Sequence, residues 1–563
     1  MFTQLPAELI LLVLYNLDLR SIRTLTLVSK YWKHFIDENE SSVYHALAVQ
    51  HGYIPSRSLD FSLLSSLYSS KSLQGVTDWK SFCQRRVHIN RSWAGKTASR
   101  YAAYSSTGDA VHRIKVDENA GLIITSFRNG GLRVCDIKEN EILWSLPESY
   151  VKQYAHLEYG QGYLIFDCLG GSKEVWRLAS DIPAGSTSSS KSKITPEQCN
   201  ASEGASNRHS ATYPKGHFKP WAMLKMPRPT RAFRFVYPTL LVGAWDHAFL
   251  WDIPSIELIQ TIASVQQPED PVAQFAVVLA SAPIYGVSPP RLGALENLNY
   301  VEVDSTHVFV CGINALRVFS RATGRCILDV PSARREWGHR KFTLLYESDR
   351  YQESVLVNQH TSMEEFSSTS PLPERSVDEF VAVHVSSCGR HLVAMLASSR
   401  VVIIKDFEKS PASLFDRMIQ IQLGFIFSHS KYLAIHQDHL AVATNNGLFI
   451  FSLSDTLNAN AEKPLVISRV PYFGYNVYMS NVTCLQLSDA GLYLNWDPAY
   501  LAYSEASSEE QDRLESVFRT NVNNRTTRYA RMPTGDLIVL LDDEEFLTEI
   551  ASVCGIDFVP AIE

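Results

Sequence analysis

No run of about 18 uncharged apolar residues occurs in the 563-residue chain, so no membrane-spanning helix and no membrane partner are expected. Cysteine is scattered, at 83, 135, 168, 199, 311, 326, 388, 484 and 554, without a single Cys-x-x-Cys pair. That spacing excludes the usual zinc and dithiol redox patterns. Cys135, Cys168 and Cys311 lie inside apolar strand-like runs and read as small core residues in a reducing compartment, the cytoplasm and/or the nucleus. His-Glu-x-x-His, Gly-x-Ser-x-Gly and the phosphate-binding Gly-x-x-x-x-Gly-Lys are all missing. Gly160-Gln161-Gly162 leads into a strand-like run instead of a helix, so it is no dinucleotide loop. Asp542-Asp543-Glu544-Glu545 reads as a solvated turn and not as a hard-metal site. No catalytic residue, metal or cofactor is therefore expected. A net charge of −7 argues against nucleic acid as a general partner.

The most informative stretch is the N-terminus. Pro6 stands where a helix would start, and Glu8 follows in the first turn, at the positive end of the helix dipole. Leu9, Ile10, Val13, Leu14 and Leu17 fall on one broad face of a 3.6-residue period. Asp18 is a good N-cap for a second helix carrying Ile22, Leu25 and Val28, and Ser29 for a third carrying Trp32, Phe35 and Ile36. Three helices this short cannot bury so much apolar surface among themselves. A signal peptide is excluded because no basic segment precedes the run, Glu8 interrupts it and no small-residue cleavage site follows.

The sequence Leu5-Pro6-x-Glu8-Leu9-Ile10, continuing through Leu14, Leu17, Asp18-Leu19, Leu25, Val28-Ser29-Lys30-x-Trp32 and Ile36, resembles an F-box. F-box proteins dock through such a unit on the Skp adaptor of SCF (Skp–cullin–F-box) ubiquitin ligases. The resemblance implies that Leu5, Pro6, Leu9, Ile10, Leu14, Leu17, Leu25, Val28 and Trp32 face the adaptor. From Val43 to Trp93 the pattern stays helical, and Asp78 is a plausible cap for a helix with Trp79, Phe82 and Arg86 one turn apart. This segment resembles the linker helix between F-box and propeller in F-box–WD proteins.

After residue 108 the period switches from 3.6 to 2. Leu132–Ile137, Ala248–Ile253, Leu316–Ser320 and Leu448–Leu453 share one shape, with Val401–Asp406 and Lys173–Leu178 as looser copies. Several follow a second strand across a turn such as Asn129-Gly130-Gly131 or Asn445-Asn446-Gly447, where positive φ is needed. Paired strands at this spacing, one ending in Trp251-Asp252, predict an all-β WD40-like propeller. Seven degenerate blades are expected near 113–146, 154–181, 232–262, 300–331, 380–409, 432–470 and 482–550, with six or eight as the alternatives.

The expected organisation is thus an F-box over 1–40, a helical linker over 41–107, a propeller over 108–550 and a C-terminal tail over 551–563. Polar insertions near 185–213, 266–299, 347–379 and 504–528 are expected to be disordered. Two basic clusters stand out, Arg228-Pro229-Thr230-Arg231-Ala232-Phe233-Arg234 and Arg334-Arg335-Glu336-Trp337-Gly338-His339-Arg340-Lys341. Some F-box–WD relatives read phosphorylated degrons through propeller arginines, whose planar fork meets phosphate oxygens in pairs. Arg334, Arg335 and Arg340 are the candidates for that role on an unidentified protein target. The resemblance implies a non-catalytic substrate receptor that reaches cullin and RING subunits through the Skp adaptor. The alternative is an adaptor-binding scaffold or assembly protein that does not promote degradation.

Overall fold

The computed structural model describes residues 5–56, 58–97, 99–108, 110–182, 194–209, 215–268, 294–332, 337–344, 355–359, 378–409, 413–424, 429–459, 465–470, 473, 479, 481–496, 528–531, 537–540 and 552–559. The chain divides into two compact units. One comprises residues 1–100 with 488–491 and 556–563; the other comprises 101–487 and 492–555.

The first unit is helical: α1 (Ala7–Leu14), α2 (Leu19–Val28), α3 (Lys30–Glu38), α4 (Glu40–Gln50), α5 (Leu64–Leu67) and α6 (Trp79–Trp93). Each start has a local cause. Pro6 precedes α1, and its carbonyl accepts from the amides of Leu9 and Ile10. Asp18 caps α2 by accepting the Ser21 amide at 2.7 Å, and Ser29 caps α3 by accepting that of Trp32 at 3.3 Å. Asp78 and Ser81 form a reciprocal capping box at the head of α6. Ile10, Leu14, Ile22, Ile36, Leu47, Trp79 and Phe82 build one core. Within this unit Arg86 is buried against the Tyr68 ring, its guanidinium 4.5 Å from the ring centroid. It donates to Ser72 Oγ (3.1 Å) and the Asp489 carbonyl (3.2 Å). Trp93 stacks on Phe558 with centroids 3.7 Å apart.

The second unit is a seven-bladed β-propeller. Its innermost strands are Val111–Asp117, Leu157–Gly160, Thr230–Val236, Leu298–Val303, Phe380–Val385, Ser430–His436 and Leu485–Leu487. Each touches the next, and the last touches the first, so the ring is closed. The core lies between blades. Trp144 and Val134 of the first meet Leu164 and Trp176 of the second, and Val393 and Ile403 of the fifth meet Leu433 and Phe449 of the sixth. Because blades are covered on both faces, second strands such as Leu122–Phe127 are buried at every residue. That explains why they read as continuous apolar runs. In five blades the innermost strand carries a register shift at one place, bypassing His112, Arg231, Asn299, Val381 or Lys431. Such bulges add local twist where strands crowd round an axis.

Several boundaries differ from expectation. The second blade ends with Phe218–Leu224 and the fifth with Met418–Gln422, both beyond the predicted limits. The seventh blade is ordered Arg100–Tyr104, Ser552–Asp557, Gly491–Trp496, Leu485–Leu487. Hence 100–104 belongs to the sheet and not to a helical linker, and 552–557 is a strand and not a tail. The insertion near 185–213 holds a helix, α7 (Pro196–Arg208). Thr195 and Gln198 form a capping box around Pro196, buried Gln198 donates to the Ala222 carbonyl at 3.2 Å, and Ala205 enters the core of the first two blades. The insertion near 347–379 contributes Val355–Gln359. It pairs with Arg340–Leu344, and the two strands join the outer edges of blades five and six into one ten-stranded sheet. Arg528–Arg531 pairs with Leu537–Leu540. The predicted segment 266–299 lies largely outside the described residues, as do the carboxylates at 542–545.

Candidate functional site

The helical unit exposes apolar side chains that an isolated unit would bury. Leu27 is 81% and Val28 65% exposed on α2, while Leu9, Leu12 and Val13 are 48%, 58% and 44% exposed on α1. Leu5 and Tyr31 are also exposed. The reason is geometric: α1 has eight residues and turns only its Ile10–Leu14 stripe inward, so the opposite stripe has nothing from its own unit over it. Of the nine residues expected to face an adaptor, Leu5, Pro6, Leu9 and Val28 are exposed and Leu17, Leu25 and Trp32 are half-buried. Ile10 and Leu14 are instead 2% and 0% exposed and belong to the unit's own core. Leu12, Val13, Leu27 and Tyr31 are exposed too and were not among the nine, because a sequence pattern marks an apolar stripe without saying which edge of it is covered.

Residues 2–43 match the F-box domain family. This segment is an F-box domain. No curated protein matches the chain. Similar solved structures include the β-propeller domain of Cps50 (Swd1) from Myceliophteria thermophila, at 9% identity and TM-score 0.40, covering 71% of this chain and 95% of that one. The WD40 repeats of RRP9 are 8% identical, TM-score 0.40, covering 70% and 90%. An F-box beside a seven-bladed, WD40-like propeller fits an F-box substrate receptor in general, and neither module is typically catalytic. The F-box implies an Skp-type adaptor, and the propeller implies a protein partner.

On the propeller, the loops entering the innermost strands share one face with the turns between second and third strands, because each blade is an antiparallel meander. We term it the upper face. Trp245 (58% exposed) projects there, and so does Tyr154, 60% exposed at φ +53°, a conformation few bulky residues adopt. A recess of about 670 Å³, lined in part by Gly130, Gly131, Arg133 and Glu148, opens beside blade one. Of the sequence candidates, Arg334 and Arg335 lie outside the described residues. Arg340 is partly buried and donates to the carbonyls of Leu457 (3.0 Å) and Ala459 (3.4 Å), next to α8 (Leu453–Asn458). In the other basic cluster Arg228 and Arg231 are exposed, whereas Arg234 turns into the propeller axis.

Arg234 belongs to a belt that sequence reading did not find. Lys115, Glu158, Arg234, Glu302 and His384 occupy one position on five consecutive innermost strands, with alternating charge. Lys115 meets Glu158 at 2.9 Å, Arg234 meets Glu158 at 3.4 Å and Glu302 at 3.0 Å, and His384 Nδ1 meets Glu302 at 2.7 Å. His384 Nε2 faces the Leu433 carbonyl at 3.0 Å, so both ring nitrogens face acceptors. Burial opposes ionisation of Glu158 and Glu302. The cations outweigh it, Lys115 and Arg234 at Glu158 and Arg234 with His384 at Glu302, and both carboxyls stay below the usual range. Burial lowers Lys115. Among the described residues no His, Cys, Asp and Glu group could hold a metal ion. The signal for the belt was an ionisable residue at the fifth place of Val111–Asp117, Thr230–Val236, Leu298–Val303 and Phe380–Val385 and at the second of Leu157–Gly160.

Proposed function

We propose that the chain is the substrate-recognition subunit of an SCF-type ubiquitin ligase. The F-box holds the Skp adaptor, and through it the cullin and RING subunits, while the upper face of the propeller holds a target protein. The exposed apolar stripe of α1 and α2, Leu9, Leu12, Val13, Leu27 and Val28, carries the reading. Covering it together with Leu5 and Tyr31 yields on the order of 10 kcal/mol gross, and association costs take back much of that. The chain forms no bond itself. It raises the effective concentration of target lysines near a ubiquitin-charged enzyme. Arg334 and Arg335 are the candidates for reading a phosphorylated target.

Co-purification tests the adaptor half. The full-length chain should bring down an Skp adaptor, and Leu9→Asp with Val28→Asp should abolish recovery without changing the thermal unfolding of the propeller. Undiminished recovery would refute the docking surface. Target half-life in cells lacking the protein tests the rest: a lengthened half-life supports a degradation receptor, and an unchanged one favours the scaffold reading.

A further inference from the structure

Charge and hydrogen bonding do not balance around the propeller axis. In the belt the balance is tight, and the cations screen the carboxylates from the lumen: Glu158 and Glu302 are each 4% exposed, Arg234 25% and Lys115 17%. One alternation nearer the upper face, the corresponding positions are Arg113, His156, Ala232, Tyr300, Ala382 and Tyr432. This tier holds no carboxylate. Arg113 donates through Nε to His156 Nδ1 at 3.3 Å and through Nη1 to the Thr483 carbonyl. Both acceptors are neutral. Since His156 Nδ1 accepts, its proton sits on Nε2, which donates to Glu158 Oε1 at 3.1 Å. Arg113 makes no other polar contact among the described residues. The Tyr300 and Tyr432 hydroxyls make no hydrogen bond there either. The acidic residues at the far ends of the innermost strands are committed elsewhere. Asp117 accepts the Ala120 amide and the Tyr159 hydroxyl, both at 2.9 Å, and Asp304 accepts the amides of Thr306 and His307 at 2.7 and 2.6 Å.

Among the described residues the tier therefore offers one guanidinium paired with no carboxylate and two phenolic donors, with the small side chains of Ala232 and Ala382 at the intervening positions. Water can satisfy a hydroxyl but brings no counter-charge. We propose that the channel holds a small oxyanion of the phosphate–sulfate class, seated between the Arg113 guanidinium and the hydroxyls of Tyr300 and Tyr432. The guanidinium meets two of its oxygens and the phenols meet others. The site lies inside the ring and is independent of the adaptor reading and of whatever protein the upper face takes.

Calorimetric titration of potassium phosphate into the full-length chain tests this, with potassium chloride at matched ionic strength as the reference. Saturable one-to-one binding is expected, weakened about tenfold or more by Arg113→Gln and by Tyr300→Phe with Tyr432→Phe, and partly retained by Arg113→Lys. At a hundredfold excess over the wild-type Kd, phosphate should raise the unfolding midpoint of the wild-type propeller by roughly 2–4 °C and that of Arg113→Gln by about half as much or less. Absence of saturable heat, an equal effect of chloride, or undiminished affinity in Arg113→Gln would overturn the site. Should Arg113→Gln not fold, the double phenylalanine variant decides: full affinity there overturns it too.

Discussion

Replacing Arg234 by alanine should expose how the propeller axis is held. Arg234 bridges two carboxylates that are each 4% exposed, Glu302 at 3.0 Å and Glu158 at 3.4 Å. Removing one partner of a buried ion pair costs about 3–5 kcal/mol when the other is left alone. Here Glu158 keeps Lys115 at 2.9 Å and Glu302 keeps His384 at 2.7 Å, so the low end, about 3 kcal/mol at pH 7, is expected. The loss should depend on pH. Both carboxyls are held below their unfolded value, so they contribute stability above about pH 4.5 that disappears as pH falls through their folded values. In Arg234→Ala those folded values move back up, so the deficit should shrink between pH 7 and pH 4. Adding Glu302→Gln removes one stranded charge and should recover part of the loss. The assay is urea unfolding followed by tryptophan fluorescence at several pH values. A deficit below about 0.5 kcal/mol, or one that does not change with pH, would refute the account of the belt as an electrostatic clasp.

Two leucines in the F-box should behave in opposite ways. Leu27→Asp, at an 81% exposed site, should leave unfolding within about 0.5 kcal/mol of wild type and weaken adaptor binding at least about tenfold by titration calorimetry. Leu14→Ala, at a fully buried site, should cost about 2–5 kcal/mol in denaturant unfolding. At Gly338, with φ +85°, an added Cβ would strike the Met418 carbonyl, so Gly338→Ala should destabilise the propeller by about 2 kcal/mol or more in the same assay.

What the sequence disclosed follows from range. Caps are local, so Asp18, Ser29 and Asp78 were legible from their own few residues, and so was the strand Lys173–Leu178. The capping box of α7 was equally local in Thr195-Pro196-Glu197-Gln198, but the serine-rich composition around it masked the signal. Membership of Arg100–Tyr104 and Ser552–Asp557 in one sheet was not legible, because nothing in either strand names a partner at the other end of the chain. Nor could a periodic stripe reveal that Leu14 packs inward while Leu9 does not. The charged belt was present in the letters, at Lys115, Glu158, Arg234 and Glu302, yet it acquires meaning only when the blades are set round a common axis.

The shared seventh blade also imposes a schedule. During synthesis the segment 100–104 emerges early and must remain without its neighbour until residues 552–557 leave the ribosome. Six blades can form in turn, but the circle stays open, with an unpaired strand edge at the gap. A chain stopped anywhere before residue 552 lacks the closing strand, however complete its F-box. Such a truncated product would keep its F-box while presenting an unfinished ring, which makes the strand Ser552–Asp557 a built-in check on completion of the propeller.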